Sequence, residues 1–290
     1  MHARFDETVG RIIAWAQRDS NVEGAIVIGS QVRPVPSADE WSDLDVMLLA
    51  NDPYALLNSA HWLGEFGTPV CAFTEVTVLH FVPWNWCVKR VLYDDNRDVD
   101  FSILPYDQLT DVLSINQSII AKGHRVIYDS HADLLSRRIG TLVTAAGKEE
   151  LAPLSEAELR HDLNDFLFCV IWSLKKIKRG ELWTAVTCIN GHIKDLLLKL
   201  IESHNLSIAQ KPSLLMYEGR FLEERADGVL LAELKHCFTR YVAAEAMQTL
   251  SHLIDVMQRI SGAICEQNGY RLDAEQFEMI RQMYRETLRG

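Results

Sequence analysis

The chain predicts an α/β domain, a mixed sheet with flanking helices, followed by an all-α helical bundle. Three observations carry this. Residues 1–150 mix period-two alternation with short continuous apolar runs. Residues 151–290 keep only the helical period. Between them lies a polar stretch around 147–156 containing Pro153. The boundary expected is therefore near residue 150, with a domain over 1–150 and another over 151–290.

Each element follows from its own pattern. Val9, Ile12, Ile13 and Ala16 share one face, predicting a helix over 7–18. Ala25-Ile26-Val27-Ile28 is a continuous apolar run ending at Gly29-Ser30, as a buried strand does. A polar stretch with Pro34 and Pro36 follows. Leu44, Val46 and Leu48 then alternate with Asp43, Asp45 and Met47, a second strand. Asp52-Pro53 reads as an N-cap and a first-turn proline opening a helix. Residues 69–82 and 86–93, rich in Val, Phe, Trp and Tyr, predict two more strands. Asp94-Asp95-Asn96 makes a polar turn, so 86–93 and 97–104 form a hairpin that Pro105 ends. Residues 106–115 return to helix. In the second half, Leu159, Leu163, Phe166, Leu167, Val170, Ile171, Leu174 and Ile177 make one stripe that Gly180 terminates. A second stripe runs from Leu182 to Leu200, and others occupy 229–242, 246–264 and 274–288.

Composition narrows the function. Hydrophobic residues at 48% and charged residues at 24% belong to a globular chain. The net charge of −11 argues against a nucleic-acid partner, which demands a cationic face. The acid is uneven: residues 1–150 carry 12 basic and 21 acidic side chains, residues 151–290 carry 17 and 19. Such a half either attracts cations or simply keeps the chain soluble. No segment reaches the ~18 apolar residues of a membrane span, and Met1 to Glu7 has no apolar core for a signal peptide. The six cysteines are scattered without a C-x-x-C, so free thiols in a reducing cytoplasm are expected. The ten histidines show no metal-ligand spacing and are read as structural or surface groups.

The chemistry concentrates in Gly29-Ser30-Gln31-Val32-Arg33-Pro34 and Ser42-Asp43-Leu44-Asp45-Val46. Gly29 permits close backbone approach, and Ser30 offers a hydroxyl and an N–H to a phosphate oxygen. Asp43 and Asp45 leave the same face of one strand, where two carboxylates repel unless a divalent cation bridges them. Hard oxygen ligands suit Mg²⁺ bound together with substrate phosphates. Asp98 and Asp100 share a face of the next acidic strand. If that strand lies beside the first, Asp100, the deeper of the two, joins the metal cluster or accepts a proton from a hydroxyl. Trp84 and Trp86 are expected to pack.

That order resembles the nucleotidyltransferase superfamily typified by DNA polymerase beta: a strand ending in G-S, then two carboxylates two apart, then a third. More closely, the chain is similar to the aminoglycoside 6-adenylyltransferase (streptomycin adenylyltransferase) family. The stretches carrying the likeness are Gly29-Ser30, Trp41 to Val46, Trp62-Leu63-Gly64-Glu65-Phe66-Gly67 and Asp98 to Pro105. In the helical half they are Asn164-Asp165-Phe166, Lys175, Arg179, Glu181 and Asn190. Two departures touch the acceptor side. Gln31 stands where the family has arginine, with Arg33 two positions on, and the loop 82–92 differs.

The resemblance implies a catalytic domain over 1–150, completed by the helical domain over 151–290. It implies Mg²⁺-dependent transfer of AMP from ATP to a hydroxyl of a small cationic acceptor such as an aminoglycoside, with pyrophosphate leaving. Asp43 and Asp45 would hold metal, Asp100 would be ligand or base, and Gly29, Ser30 and Arg33 would meet the nucleotide. Lys175 would reach the triphosphate across an interdomain cleft, with Lys194 as a second candidate, and a solvated helix face accounts for Lys175 equally well. Glu75, Asp94 and Asp95 would contact a cationic acceptor or simply be solvated. A lincosamide or other acceptor, a protein-modifying transferase and a non-catalytic nucleotide binder are the alternatives.

Overall fold

A computed structural model describes residues 1–34, 38–145, 152–208, 219–271 and 273–289; Pro36 and the 147–151 part of the expected boundary lie outside them. The chain divides into two compact units, Met1–Glu149 and Glu150–Gly290.

The first unit runs α1 (Asp6–Ala16), β1 (Val22–Ile28), β2 (Leu44–Ala50), α2 (Pro53–Asn58), β3 (Pro69–Thr77), β4 (Trp86–Tyr93) and β5 (Asp98–Pro105). It continues with α3 (Leu109–Ile115), α4 (Gln117–Lys122), β6 (Arg125–Asp129) and α5 (Leu134–Ala145). The strands form one mixed sheet in the order β3-β4-β5-β2-β1-β6. β2 and β5 pair in parallel, and the other neighbours are antiparallel.

Both faces of the central strands are covered, which is why β1 reads as a continuous apolar run rather than an alternation. Ala25, Val27, Val46, Leu48, Phe101 and Ile103 pack with Val9, Ile12 and Trp15 of α1 on one side. Ile26, Met47, Leu49 and Leu104 pack with Val112, Ile120 and Leu135 from α3, α4 and α5 on the other. Side chains alternate along a strand, so Asp45 emerges on the face of Met47 and Leu49, and Asp100 on the face of Ser102 and Leu104.

Local chemistry sets the boundaries. Asp52 caps α2, accepting from the N–H groups of Tyr54 (3.0 Å) and Ala55 (3.2 Å). The β4–β5 turn forms at Asp94–Asn96, with Asn96 at φ +63°. The strand expected over 69–82 stops at Thr77; it is an edge strand of the sheet and is exposed along its whole length. Its Val and Phe content therefore reflects strand propensity without burial. Trp84 is buried and Trp86 partly so, both against the α3–α5 side, as packing residues.

The second unit is helical: α6 (Glu156–Lys178), α7 (Leu182–Asn190), α8 (His192–Ile208), α9 (Leu222–Arg225), α10 (Gly228–Cys237), α11 (Ala243–Asn268) and α12 (Ala274–Arg289). A capping box opens α6. Ser155 Oγ accepts from the Glu158 N–H at 3.3 Å, and Glu158 Oε2 accepts from the Ser155 N–H at 2.9 Å. The α6 stripe packs with Ile193 and Leu197 of α8 and Leu250, Leu253 and Met257 of α11 in one core. Each such side chain contributes roughly 1.5–3 kcal/mol on burial. The stripe from 182 to 200 is broken at Gly191, so it forms two helices rather than one. Among the described residues no helix is long and apolar enough to cross a membrane.

Candidate active site

The parallel pairing of β2 and β5 sets Asp45 directly beside Asp100. Carboxylate oxygens of Asp43, Asp45 and Asp100 all lie within 4.8 Å of one another. On the other side of β2, Ile28 is the partner of Asp45, so the β1 strand delivers its closing turn against the same carboxylate. Gly29 has φ +73°, and an added Cβ would overlap Asp45 Oδ2 and stand 3.0 Å from its Cγ. Only glycine fits there, both for the backbone angle and for the close approach.

Ser30 follows within the turn. Its Oγ is buried and has no hydrogen-bond partner among the described residues. A buried hydroxyl without a partner needs an explanation, and a ligand oxygen supplies one. Gln31 is almost fully buried. Its Nε2 donates to the Asp43 carbonyl at 2.9 Å, and its Oε1 accepts from the His2 N–H at 2.9 Å. Gln31 is thus a brace behind Asp43. Arg33 is half-buried and already engaged.

The charge balance at the trio involves a residue that the sequence reading passed over. Arg90 stands opposite Asp100 across the β4–β5 hairpin. One guanidinium nitrogen is 2.9 Å from Asp100 Oδ2, and Nε donates to Glu75 Oε2 at 3.0 Å. Burial pushes the Asp100 carboxyl up to about 6; Arg90 opposes this, while Asp43 and Asp98 add to it. Burial works against the Arg90 charge, but Asp100, Glu75 and Asp45 outweigh it and raise its pKa. The hairpin turn at Asp94–Asn96 was legible, and carrying its register inward would have paired Arg90 with Asp100. Lys89 was missed too. It is buried, and its ammonium donates to the carbonyls of Leu56 (3.3 Å), Leu57 (2.7 Å) and Ser59 (2.9 Å), pinning the end of α2 to β4.

The Trp62-to-Gly67 stretch sits behind the site as support. Trp62 packs edge-on to Phe101 at 5.0 Å and stacks on Trp15 at 5.2 Å. Phe101 is the residue after Asp100, so this aromatic cluster fixes the strand that carries the third carboxylate.

In the helical unit, the residues carrying the likeness are mostly engaged within that unit. Glu181 pairs with Lys176 (2.5 Å) and Arg179 (2.7 Å). Asn190 exchanges hydrogen bonds with the Thr239 backbone at 2.8 and 3.0 Å. Lys194 turns inward, donating to the Ile189 carbonyl at 2.8 Å beneath the Phe238 ring, and burial draws its pKa down to about 8. Lys175 is exposed on α6, and its ammonium makes no hydrogen bond or ion pair among the described residues.

Three carboxylates on adjoining strands, beside a strand-ending Gly-Ser turn on a mixed sheet, define a nucleotidyltransferase. The chain belongs to the streptomycin adenylyltransferase family, whose family model matches residues 4–287. No curated protein matches the chain. Among solved structures, an aminoglycoside 6-adenyltransferase from Bacillus subtilis is similar over 100% of both chains, at 14% identity and a TM-score of 0.45. So distant a likeness adds nothing to the family assignment.

Proposed function

We propose that the protein transfers AMP from ATP to a hydroxyl of a streptomycin-like aminoglycoside, releasing pyrophosphate, with Mg²⁺ as the metal. The observation that carries this is the meeting of Asp43, Asp45 and Asp100 within 4.8 Å, against a turn that only glycine fits. Three hard oxygen donors this close suit Mg²⁺, with Asp43 and Asp45 as its holders. When bound, Mg²⁺ neutralises phosphate charge and lowers the barrier to in-line displacement.

The remaining roles belong to the chain. Gly29 lets the backbone approach the phosphates, and the Ser30 hydroxyl and N–H donate to the β- or γ-phosphate. Asp100 accepts the proton of the acceptor hydroxyl as its oxygen bonds to the α-phosphorus and the α–β bridging oxygen departs with pyrophosphate. Without metal, burial holds this carboxyl near 6; Mg²⁺ beside it would favour the ionised form, the one that accepts a proton. Arg90 holds Asp100 in place without a metal contact of its own. The acidic excess of residues 1–150 favours a cationic acceptor. Lys175 is the helical unit's candidate for phosphate contact. ATP as co-substrate and six free cysteines fit a reducing cytoplasm.

The test is pyrophosphate release from ATP by the purified protein. Release requiring both Mg²⁺ and streptomycin supports the proposal. Release with a different acceptor keeps the chemistry and moves the specificity. Silence across an acceptor panel, with MgATP still bound, favours a non-catalytic nucleotide binder.

A further inference from the structure

The helical unit gathers a second set of metal-ligating side chains, of different chemistry. Asp165 and Cys169 are four apart on α6, so they share a face. Cys188 and His192 are also four apart, one near the end of α7 and the other opening α8, on either side of Gly191. Folding brings three of these four side chains together. Ligand atoms of Asp165, Cys169 and His192 all lie within 4.8 Å of one another. His192 Nε2 is 2.8 Å from Asp165 Oδ2, and the Cys169 thiol donates to Asp165 Oδ1 at 3.4 Å. Cys188 is a neighbour of Cys169 and acts on its thiol, but its sulfur is not among the ligand atoms that meet within 4.8 Å.

We propose that Asp165, Cys169 and His192, with Cys188 as fourth donor, form a Zn²⁺ site that ties α6 to the α7–α8 junction. The donor set decides the metal. Two thiolates, an imidazole and one carboxylate match the ligands of a four-coordinate zinc site, whereas Mg²⁺ and Ca²⁺ want oxygen alone. Position decides the role. Each ligand pair belongs to a different stretch of backbone, so one ion cross-links them, and a site with four protein ligands leaves no open position for substrate. Burial and the neighbouring Cys188 raise the Cys169 thiol, and a bound cation reverses that balance by displacing the thiol proton. The spacing was present in the sequence as D-x3-C and C-x3-H. Neither half is a zinc signature alone, and eighteen residues separate them.

The test uses the full-length protein, reduced and stripped with chelator, then titrated with Co²⁺ as a spectroscopic probe. One tight equivalent should bind, with a thiolate-to-cobalt charge-transfer band and tetrahedral visible bands, and one equivalent of Zn²⁺ should displace it. Cys169→Ser should lower the charge-transfer intensity, and Cys169→Ser/Cys188→Ser should abolish it. His192→Ala, whose ring is half exposed and whose loss leaves the core intact, should weaken binding at least about tenfold. Zn²⁺ should raise the melting temperature of the parent chain but not that of His192→Ala. Asp45→Asn should leave the cobalt spectrum unchanged, which separates this site from the carboxylate trio. Absence of the bands, their persistence in Cys169→Ser/Cys188→Ser, or a Cys169–Cys188 disulfide in place of metal uptake would overturn the proposal.

Discussion

Replacing Gly29 by alanine places a methyl group on the Asp45 carboxylate, and the consequences are calculable. The backbone there has φ +73°, a region that costs an L-residue roughly 1–2 kcal/mol. The new Cβ would overlap Asp45 Oδ2 and sit 3.0 Å from Cγ, so the metal-holding carboxylate itself must give way. A shift of about 1 Å at a reacting centre lowers turnover on the order of 10²-fold. Gly29→Ala should therefore lose about 1–2 kcal/mol in urea unfolding while kcat/KM for pyrophosphate release falls about a hundredfold, far more than the lost stability explains. Gly10→Ala is the control. A Cβ there meets nothing within 4 Å, and α1 should gain up to ~1 kcal/mol of helix propensity at unchanged activity. Gly29→Ala retaining turnover within a factor of three would refute the close-approach argument.

Other outcomes follow from the same geometry. In the parent protein kcat/KM should rise with pH as the Asp100 carboxyl ionises to the form that accepts a proton, with the limb below about 6 because bound Mg²⁺ favours the carboxylate. Asp100→Asn should remove that limb and lower kcat by about 10²- to 10⁴-fold. Stability of the metal-free protein runs the opposite way. A carboxyl raised in the folded state holds its proton more tightly than in the unfolded chain, so stability declines from about pH 4 to 6 in thermal melts. Gln31→Ala removes two hydrogen bonds behind Asp43; a loss of about 1–2 kcal/mol in chemical denaturation, together with a higher Mg²⁺ requirement, is the expected pair of effects. Lys175→Ala should raise KM for ATP at unchanged melting temperature. Lys194→Ala should do the reverse, since it removes the donor to the Ile189 carbonyl.

The catalytic strands were legible because their constraints are local. The apolar run into Gly29-Ser30 and the two-residue spacing of Asp43 and Asp45 state a strand, a turn and a shared face without tertiary information. The adjacency of Asp45 and Asp100 was only conditional, because a parallel pairing across an intervening hairpin is a long-range fact. β6 and α5 escaped notice: β6 is a short partner of β1 at the far edge, with little apolar contrast to mark it. The break at Gly191 was hidden because the apolar stripe continues in phase on both sides. Gln31 looked like a gap in the family pattern, and its buried bracing of the Asp43 carbonyl lies in contacts that no spacing encodes. Arg90 and the Asp165–Cys169–His192 group share that limitation, being assembled from separate elements.

The most direct measurement is mass spectrometry of streptomycin incubated with MgATP and the protein, alongside Asp45→Asn at equal concentration and comparable folded fraction. The account predicts one AMP added to streptomycin by the parent chain, with pyrophosphate in equal amount, and almost none by the variant. Adenylylated product formed at the parent rate by Asp45→Asn would contradict the assignment of nucleotidyl transfer to the carboxylate trio.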